Sequence, residues 1–262
     1  MERISSRQNP TVRQFRDVAR GTVPNAMLLD GEHLLQEALA SAVKLDVVAV
    51  AERLATNDAV LRASRAGARI VVLSDAVWSA ISPVRTPSGI AAIAVRPSTS
   101  LDQVFERRPA LVVMLHDVQD PGNVGAIIRA AEGCGATGLI CNGHTADPFG
   151  WKALRGAMGS SFRLPIAAKQ SLEDAIAVAR SAGLRIFATT ARGGTLLPEC
   201  DLRMPAAVIL GGEGAGLPDE LVEQADVRLT IPMHPPVDSL NVAVAAALVS
   251  YEAARQRGMK RP

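Results

Sequence analysis

Hydrophobic and polar positions change period repeatedly along the first hundred residues. In Gly31 to Ala42 (GEHLLQEALASA), Leu34, Leu35, Ala38 and Leu39 recur at helical spacing and predict a helix with one buried face. Leu45 to Val50 (LDVVAV) and Arg69 to Leu73 (RIVVL) are short β-branched runs that predict strands. Asn57 to Ala66 reads as a helix, and Asp75 caps another through Ile81. Gly89 to Val95 (GIAAIAV) closes the segment as a strand. The polar break Arg96-Pro97-Ser98-Thr99-Ser100 follows and has linker composition. A domain boundary is expected there, between residues 1–97 and 98–262.

Beyond the break, strand and helix alternate more regularly. Strands are expected at Ala110–Leu115, Gly138–Cys141, Arg163–Ile166, Arg185–Thr189, Ala206–Leu210 and Arg228–Ile231, with helices between most of them, including Leu172–Ala182. Such alternation predicts an α/β domain with a mostly parallel sheet and helices on both faces. From Val242 to Val249 the chain is apolar nearly all round. A helix there has to be buried on more than one side, for which core burial plus a subunit interface would account.

With 3% aromatic residues, the core has to be built from Ala, Val, Leu and Ile. The net charge of +2 does not by itself point to nucleic acid, but its distribution is uneven. Residues 1–100 hold 12 Lys/Arg against 9 Asp/Glu, and Arg3, Arg7, Arg13, Arg16 and Arg20 all lie within the first twenty residues. That arm is either a phosphate-contacting surface or a solvated helix face. Cys134, Cys141 and Cys200 form no Cys-x-x-Cys pair and have no His at metal spacing, so small buried thiols are expected, with no disulfide and no metal site. The start, MERISSRQNP, does not read as a signal peptide, and no apolar run is long enough to span a bilayer; a soluble, cytoplasmic protein without membrane contact is expected.

Three stretches carry polar chemistry that packing does not call for. In HDVQDPGNVGAIIRAAEGCG, a Pro-Gly turn precedes a helix whose expected N-cap is Asn123 and whose apolar face is Val124, Ile127, Ile128 and Ala131. Arg129 lies off that face among Gly125, Ala126 and Gly133, either as an anion-binding fork or as an exposed surface arginine. In LGGEGAGLPDEL the glycines follow an apolar strand, yet Glu213 sits where a pyrophosphate would have to lie. A carboxylate among glycines suits a hydroxyl-rich or cationic ligand, or the orientation of a nearby arginine. In IPMHPPVDSLNVAV, Asp238 or Ser239 is the expected helix cap, and Ser239 and Asn241 are polar groups at the helix entrance.

In this order and spacing, N-x-G-A-I-x-R-x-A (Asn123 to Ala131), G-G-E-G-x-G (Gly211 to Gly216) and I-P-M…S-L-N-V (Ile231 to Val242) resemble the SpoU/TrmH (SPOUT superfamily) RNA ribose 2′-O-methyltransferases. LRGAMGSSFRLPI, from Leu154 to Ile166, is similar to the same family. SSRQNPTVRQFRDVARG, LLDGEHLLQEAL and RTPSGIAAIAV resemble the L30e-like RNA-binding domain carried by many members. Ala243 stands where many relatives have Ser, and Asp238 where many have Gly or Glu.

The resemblance implies an N-terminal L30e-like α/β domain followed by a trefoil-knotted α/β domain that binds S-adenosylmethionine and pairs as a homodimer. It implies cofactor contacts at Thr189, Gly211, Gly212, Ile231 and Leu240, largely through main-chain groups, the glycines admitting adenine and ribose. It implies a catalytic cluster of Asn123, Arg129, Glu213, Ser239 and Asn241, with Arg129 the candidate for removing the hydroxyl proton. Since an ordinary guanidinium is a poor base, we expect Arg129 instead to clamp a phosphate and stabilise a developing alkoxide, oriented by Asn123 and Glu213. Arg7, Arg13 and Arg16 become RNA-backbone contacts, and ribosomal RNA the expected substrate, ahead of transfer RNA. Two other readings weigh against this one. A catalytically silent RNA-binding module would be favoured by a break at Arg129, Glu213 or Asn241, all of which are present; a nicotinamide dehydrogenase needs a glycine fingerprint where the chain reads Asp120-Pro121-Gly122-Asn123.

Overall fold

The computed structural model describes residues 1–82, 87–214 and 216–258. Arg85 and Thr86, which begin the third N-terminal stretch, and Ala215 of the glycine loop lie outside the described residues. The chain forms two compact units: residues 1–97 with 149–162, and residues 98–148 with 163 onward.

The first unit has a five-stranded sheet in the order β1-β4-β3-β5-β2, formed by β1 (Glu2–Ile4), β2 (Ala26–Asp30), β3 (Leu45–Ala51), β4 (Arg69–Leu73) and β5 (Ile90–Val95). Its helices are α1 (Pro10–Ala19), α2 (Glu32–Ala40), α3 (Asp58–Arg65) and α4 (Asp75–Ile81). α1 starts where Asn9 accepts a hydrogen bond from Thr11 N and Pro10 occupies the first turn. It buries Val12, Phe15 and Val18 at helical spacing, so Arg13 between them faces outward, whereas Arg16 is half-buried. The added segment 149–162 carries α7 (Trp151–Ala157), with Trp151 packed against the core of this unit and Arg155 paired with Asp30 at 3.5 Å. Burial pushes the Asp30 carboxyl above its usual range, against the opposing pull of Arg155.

In the second unit a seven-stranded sheet runs β10-β12-β9-β11-β6-β7-β8, with every pairing parallel. Its strands are β6 (Leu111–His116), β7 (Gly138–Asn142), β8 (Ile166–Gln170), β9 (Arg185–Thr189), β10 (Thr195–Leu196), β11 (Ala206–Gly211) and β12 (Val227–Thr230). The helices are α5 (Leu101–Val104), α6 (Pro121–Gly133), α8 (Leu172–Ser181), α9 (Asp219–Glu223) and α10 (Val242–Gln256). β6 and β7 are buried over nearly their whole length, as strands covered on both faces are. The expected strand at 163–166 lies instead at Ile166–Gln170, because Pro165 has no N–H for the ladder and pairing starts after it. Cys141 and Cys200 are buried as expected, whereas Cys134 is only partly so.

β6 and β11 are neighbours, but the chain leaves them in opposite directions: β6 leads through α6 to β7, β11 through α9 to β12 on the other side. That divergence opens a crevice at the carboxyl ends of the strands, the usual ligand position in a parallel α/β sheet. α10 packs along α6 and runs back beneath the sheet for ~22 Å. Beyond its end, Arg257 donates to the carbonyls of Leu202, Pro109, Ala110 and Met204 at 2.7, 3.2, 3.0 and 2.7 Å. One guanidinium thereby ties together the chain entering β6 and the chain entering β11, at the amino ends of the strands.

Candidate active site

At the crevice β6 ends in His116, and Asp117 turns the chain with a left-handed φ of 59°. The cap of α6 is Asp120, not Asn123: Asp120 Oδ1 accepts from Asn123 N at 2.8 Å. Pro121 already occupies the first turn, which places Asn123 inside the helix and frees its side chain. Asn123 Nδ2 donates to Glu213 Oε1. Its Oδ1 accepts from Asn241 Nδ2 at 3.1 Å, and Asn241 Nδ2 also reaches Glu213 Oε1 at 3.3 Å. Three segments distant in sequence meet in this triangle.

Asn241 also caps α10, its Oδ1 accepting from Ala243 N at 2.9 Å and Val244 N at 3.4 Å. The cap expected at Asp238 or Ser239 therefore falls two or three residues later, next to the first helical turn at Val242. Ser239 Oγ instead donates to Asp238 Oδ1 at 3.5 Å. Arg129 is exposed and forms no hydrogen bond or ion pair with a described residue, so the expected contacts from Asn123 and Glu213 are not made. Six residues along a helix place it ~9 Å further on and ~240° around from Asn123.

The glycine loop closes on itself beside this triangle. Gly212 and Gly216 form an antiparallel bridge, and Gly212 N donates to His116 O at 2.7 Å. A Cβ at Gly211 would meet Gly216 C at 2.4 Å, and one at Gly212 would meet Asp117 O at 2.0 Å. The neighbour that requires glycine at these two positions is thus the chain itself, in addition to any ligand.

Next to the loop lies a cleft of about 790 Å³ at the carboxyl ends of β9, β11 and β12. Thr189, Gly211, Gly212, Ile231 and Leu240 all line it, as do Glu213, Ser239 and Asn241; Asn123 and Arg129 do not. Thr189 Oγ1 is held by Ile209 O at 3.0 Å. A loop that sequence reasoning passed over forms another wall: Thr190 N donates to Leu229 O at 2.8 Å, Gly194 N to Thr230 Oγ1 at 3.0 Å, and Arg192 and Gly193 line the cleft between these ties. The signal available was Thr-Ala-Arg-Gly-Gly directly after the strand Arg185–Thr189. In size and in its mixture of leucines, main chain and carboxylates the cleft suits an adenosine bearing a cationic tail.

In the other unit the arginines expected to meet RNA are unequal. Arg7 donates to Ala76 O at 2.9 Å and Ser79 Oγ at 3.0 Å, and Arg16 Nη2 to Arg7 O at 3.1 Å. Arg13 is exposed on α1 and makes no such bond.

The Gly212 contact yields a direct test. Gly212→Ala has to push the loop off Asp117, an overpacking expected to cost about 1–3 kcal/mol and to lower the urea midpoint. An unchanged midpoint would show that the loop does not approach Asp117 this closely.

The model of the SpoU rRNA Methylase family matches residues 110–251, and that of the MRM3-like substrate binding domain matches residues 9–92. Among curated relatives, the 23S rRNA (guanosine(2553)-2′-O)-methyltransferase RlmP of Bacillus subtilis is 32% identical over 96% of this chain and 98% of its own. The AdoMet-bound rRNA methyltransferase from Sinorhizobium meliloti superposes with a TM-score of 0.88 at 30% identity, covering 97% of each chain. The SpoU methyltransferase AviRb from Streptomyces viridochromogenes, in complex with AdoMet, superposes at 0.84 with 27% identity, over 97% of this chain and 100% of that one. The expected fold, a substrate-binding α/β domain followed by a trefoil-knotted α/β methyltransferase domain, is that of these relatives. The chain belongs to the SpoU rRNA methylase family and is an S-adenosylmethionine-dependent RNA 2′-O-methyltransferase with an N-terminal substrate-binding domain.

Proposed function

We propose that this enzyme methylates ribosomal RNA, with the cofactor in the cleft at the glycine loop and the reacting ribose at the Asn123–Glu213–Asn241 triangle on its rim. The observation that carries the reading is the meeting of those three side chains, from α6, the glycine loop and α10, where two of them also line the cleft. When bound, S-adenosylmethionine supplies an electrophilic sulfonium methyl. Thr189, Gly211, Gly212, Ile231 and Leu240 hold it, and Glu213 places a carboxylate beside its positive charge. Glu213 Oε1 is occupied by both carboxamides, so Oε2 is the oxygen turned to a ligand. Ser239 lies on the same wall and offers a hydroxyl to the ribose.

Arg129, which stands clear of the triangle, acts as a fork: its guanidinium clamps the phosphate next to the target ribose. Arg129→Lys keeps the charge but loses the fork, and is expected to lower kcat about 100-fold with cofactor affinity unchanged in calorimetric titration. Near-normal turnover would sink this role.

Ribosomal RNA is favoured because RlmP, which matches nearly the whole chain, is named for 23S rRNA. The domain reading is residues 1–97 for RNA capture and 98–262 for catalysis, with Arg13 the first contact to RNA phosphate. Because Trp151 packs into the core of the first unit, a deletion at residue 97 would strip that core, and a point change is the cleaner probe. Arg13→Glu should raise the KM for RNA several-fold at unchanged kcat and flatten the salt dependence of binding by about one unit of slope. A KM equal to wild type would remove Arg13 from the interface.

A homodimer through the knotted domain is supported by α10. Its core side buries Val242, Ala246, Val249 and Ala253, yet Val244, Leu248 and Tyr251 form an apolar stripe at 48, 40 and 55% exposure. Three unpaired thiols suit a reducing cytoplasm, where ribosomes are found. Leu248→Glu is expected to give monomers in sedimentation velocity; a wild-type monomer would contradict the dimer.

A further inference from the structure

We infer that Asn142, at the end of β7, is a positioning residue for the methyl-transfer site; this rests on the assignment of Glu213 above. Asn142 is buried at 7% exposure and touches neither the cleft nor the triangle. Its Oδ1 accepts from Asp117 N at 3.1 Å, Thr145 N at 3.0 Å and Thr145 Oγ1 at 2.8 Å. Two of those donors are backbone N–H groups, so the orientation of the carboxamide is fixed and Nδ2 has to be the donor to His116 Nδ1, 3.0 Å away. His116 therefore accepts at Nδ1.

These four bonds hold a turn that has little reason to stay in place unaided. Asp117 is non-glycine at φ 59°, and its Oδ1 is buried with no hydrogen-bond partner. Yet Asp117 O is the atom against which Gly212 packs, and His116 O is the acceptor of Gly212 N. Glu213 is the next residue. Asn142 thus fixes the floor on which the carboxylate of the site stands, and His116 satisfies the remaining carboxamide donor.

The test uses the full chain, unmodified 23S ribosomal RNA and radiolabelled S-adenosylmethionine, with calorimetric cofactor titration and a thermal melt of every variant. Asn142→Ala is expected to lower kcat about tenfold with cofactor affinity within about twofold and a cooperative melt. Asn142→Asp keeps the acceptor oxygen, lets His116 donate from Nδ1 by a change of tautomer, and should recover most of the turnover. Wild-type kcat in a folded Asn142→Ala overturns the inference. So does a loss of cofactor affinity in step with kcat, or an Asp variant no better than Ala. If Asn142→Ala does not fold, His116→Phe replaces it: Nδ2 of Asn142 is left buried without an acceptor, the turn loosens, and kcat should again fall at constant cofactor affinity, an unchanged kcat being fatal. Glu213→Gln separates the two levels. Loss of turnover there but not in Asn142→Ala sinks the role of Asn142 alone, whereas full turnover in Glu213→Gln sinks the assignment of Glu213 and this inference with it.

Discussion

The carbonyl of Asp117 fills the space that any side chain at residue 212 would need, and the arrangement of the site follows from that contact. It lets β11 pair with β6 to its last residue, Gly211 opposite His116, and sends the glycine loop out directly over the start of α6. These two strands are also where the chain's connections diverge, so the loop emerges at the mouth of the crevice rather than over a packed surface. From there Glu213 reaches Asn123, 90 residues earlier, and Asn241, 28 residues later. Contacts so distant in sequence hold only because a rigid parallel sheet sets the origin of each segment.

Much of the fold was legible from period and punctuation. α2, α3, α4 and α8 lie within a residue or two of expectation because each combines a helical apolar face with a clear start or stop. β8 was displaced by one proline. α1 was visible only as a basic arm, since its arginines drew attention away from Val12, Phe15 and Val18 between them. The packing of Phe149–Phe162 with the first unit was not legible at all: Trp151 and Leu154 announce burial, but nothing in their spacing says against which core.

Which of the expected residues converge was partly legible in the sequence, their arrangement less so. All five residues expected to hold the cofactor line one cleft, and Asn123, Glu213 and Asn241 meet. The helix caps were misassigned because Asp, Ser and Asn crowd both helix starts and propensity alone does not rank neighbours that all cap well. Arg129 shows a different limit: a motif read as a string places it beside Asn123, whereas helical geometry turns the two apart. Asn142 gave no sequence signal, since an asparagine closing an apolar strand looks like the start of any turn.

Arg257 gives the second unit a temporal order. Proteins are made from the N-terminus, and the carbonyls of Pro109, Ala110, Leu202 and Met204 all emerge before the guanidinium that joins them. Until then Ala110 O is served by Ala206 N, water has to serve the other three acceptors, and β6 and β11 stand side by side with their amino-terminal ends unclasped. The strands can assemble during synthesis, but the sheet is sealed only when α10 has been threaded along α6 and its far end has arrived. A late-arriving clasp of this kind leaves the amino-terminal ends of β6 and β11, away from the crevice, as the last part of the sheet to be tied.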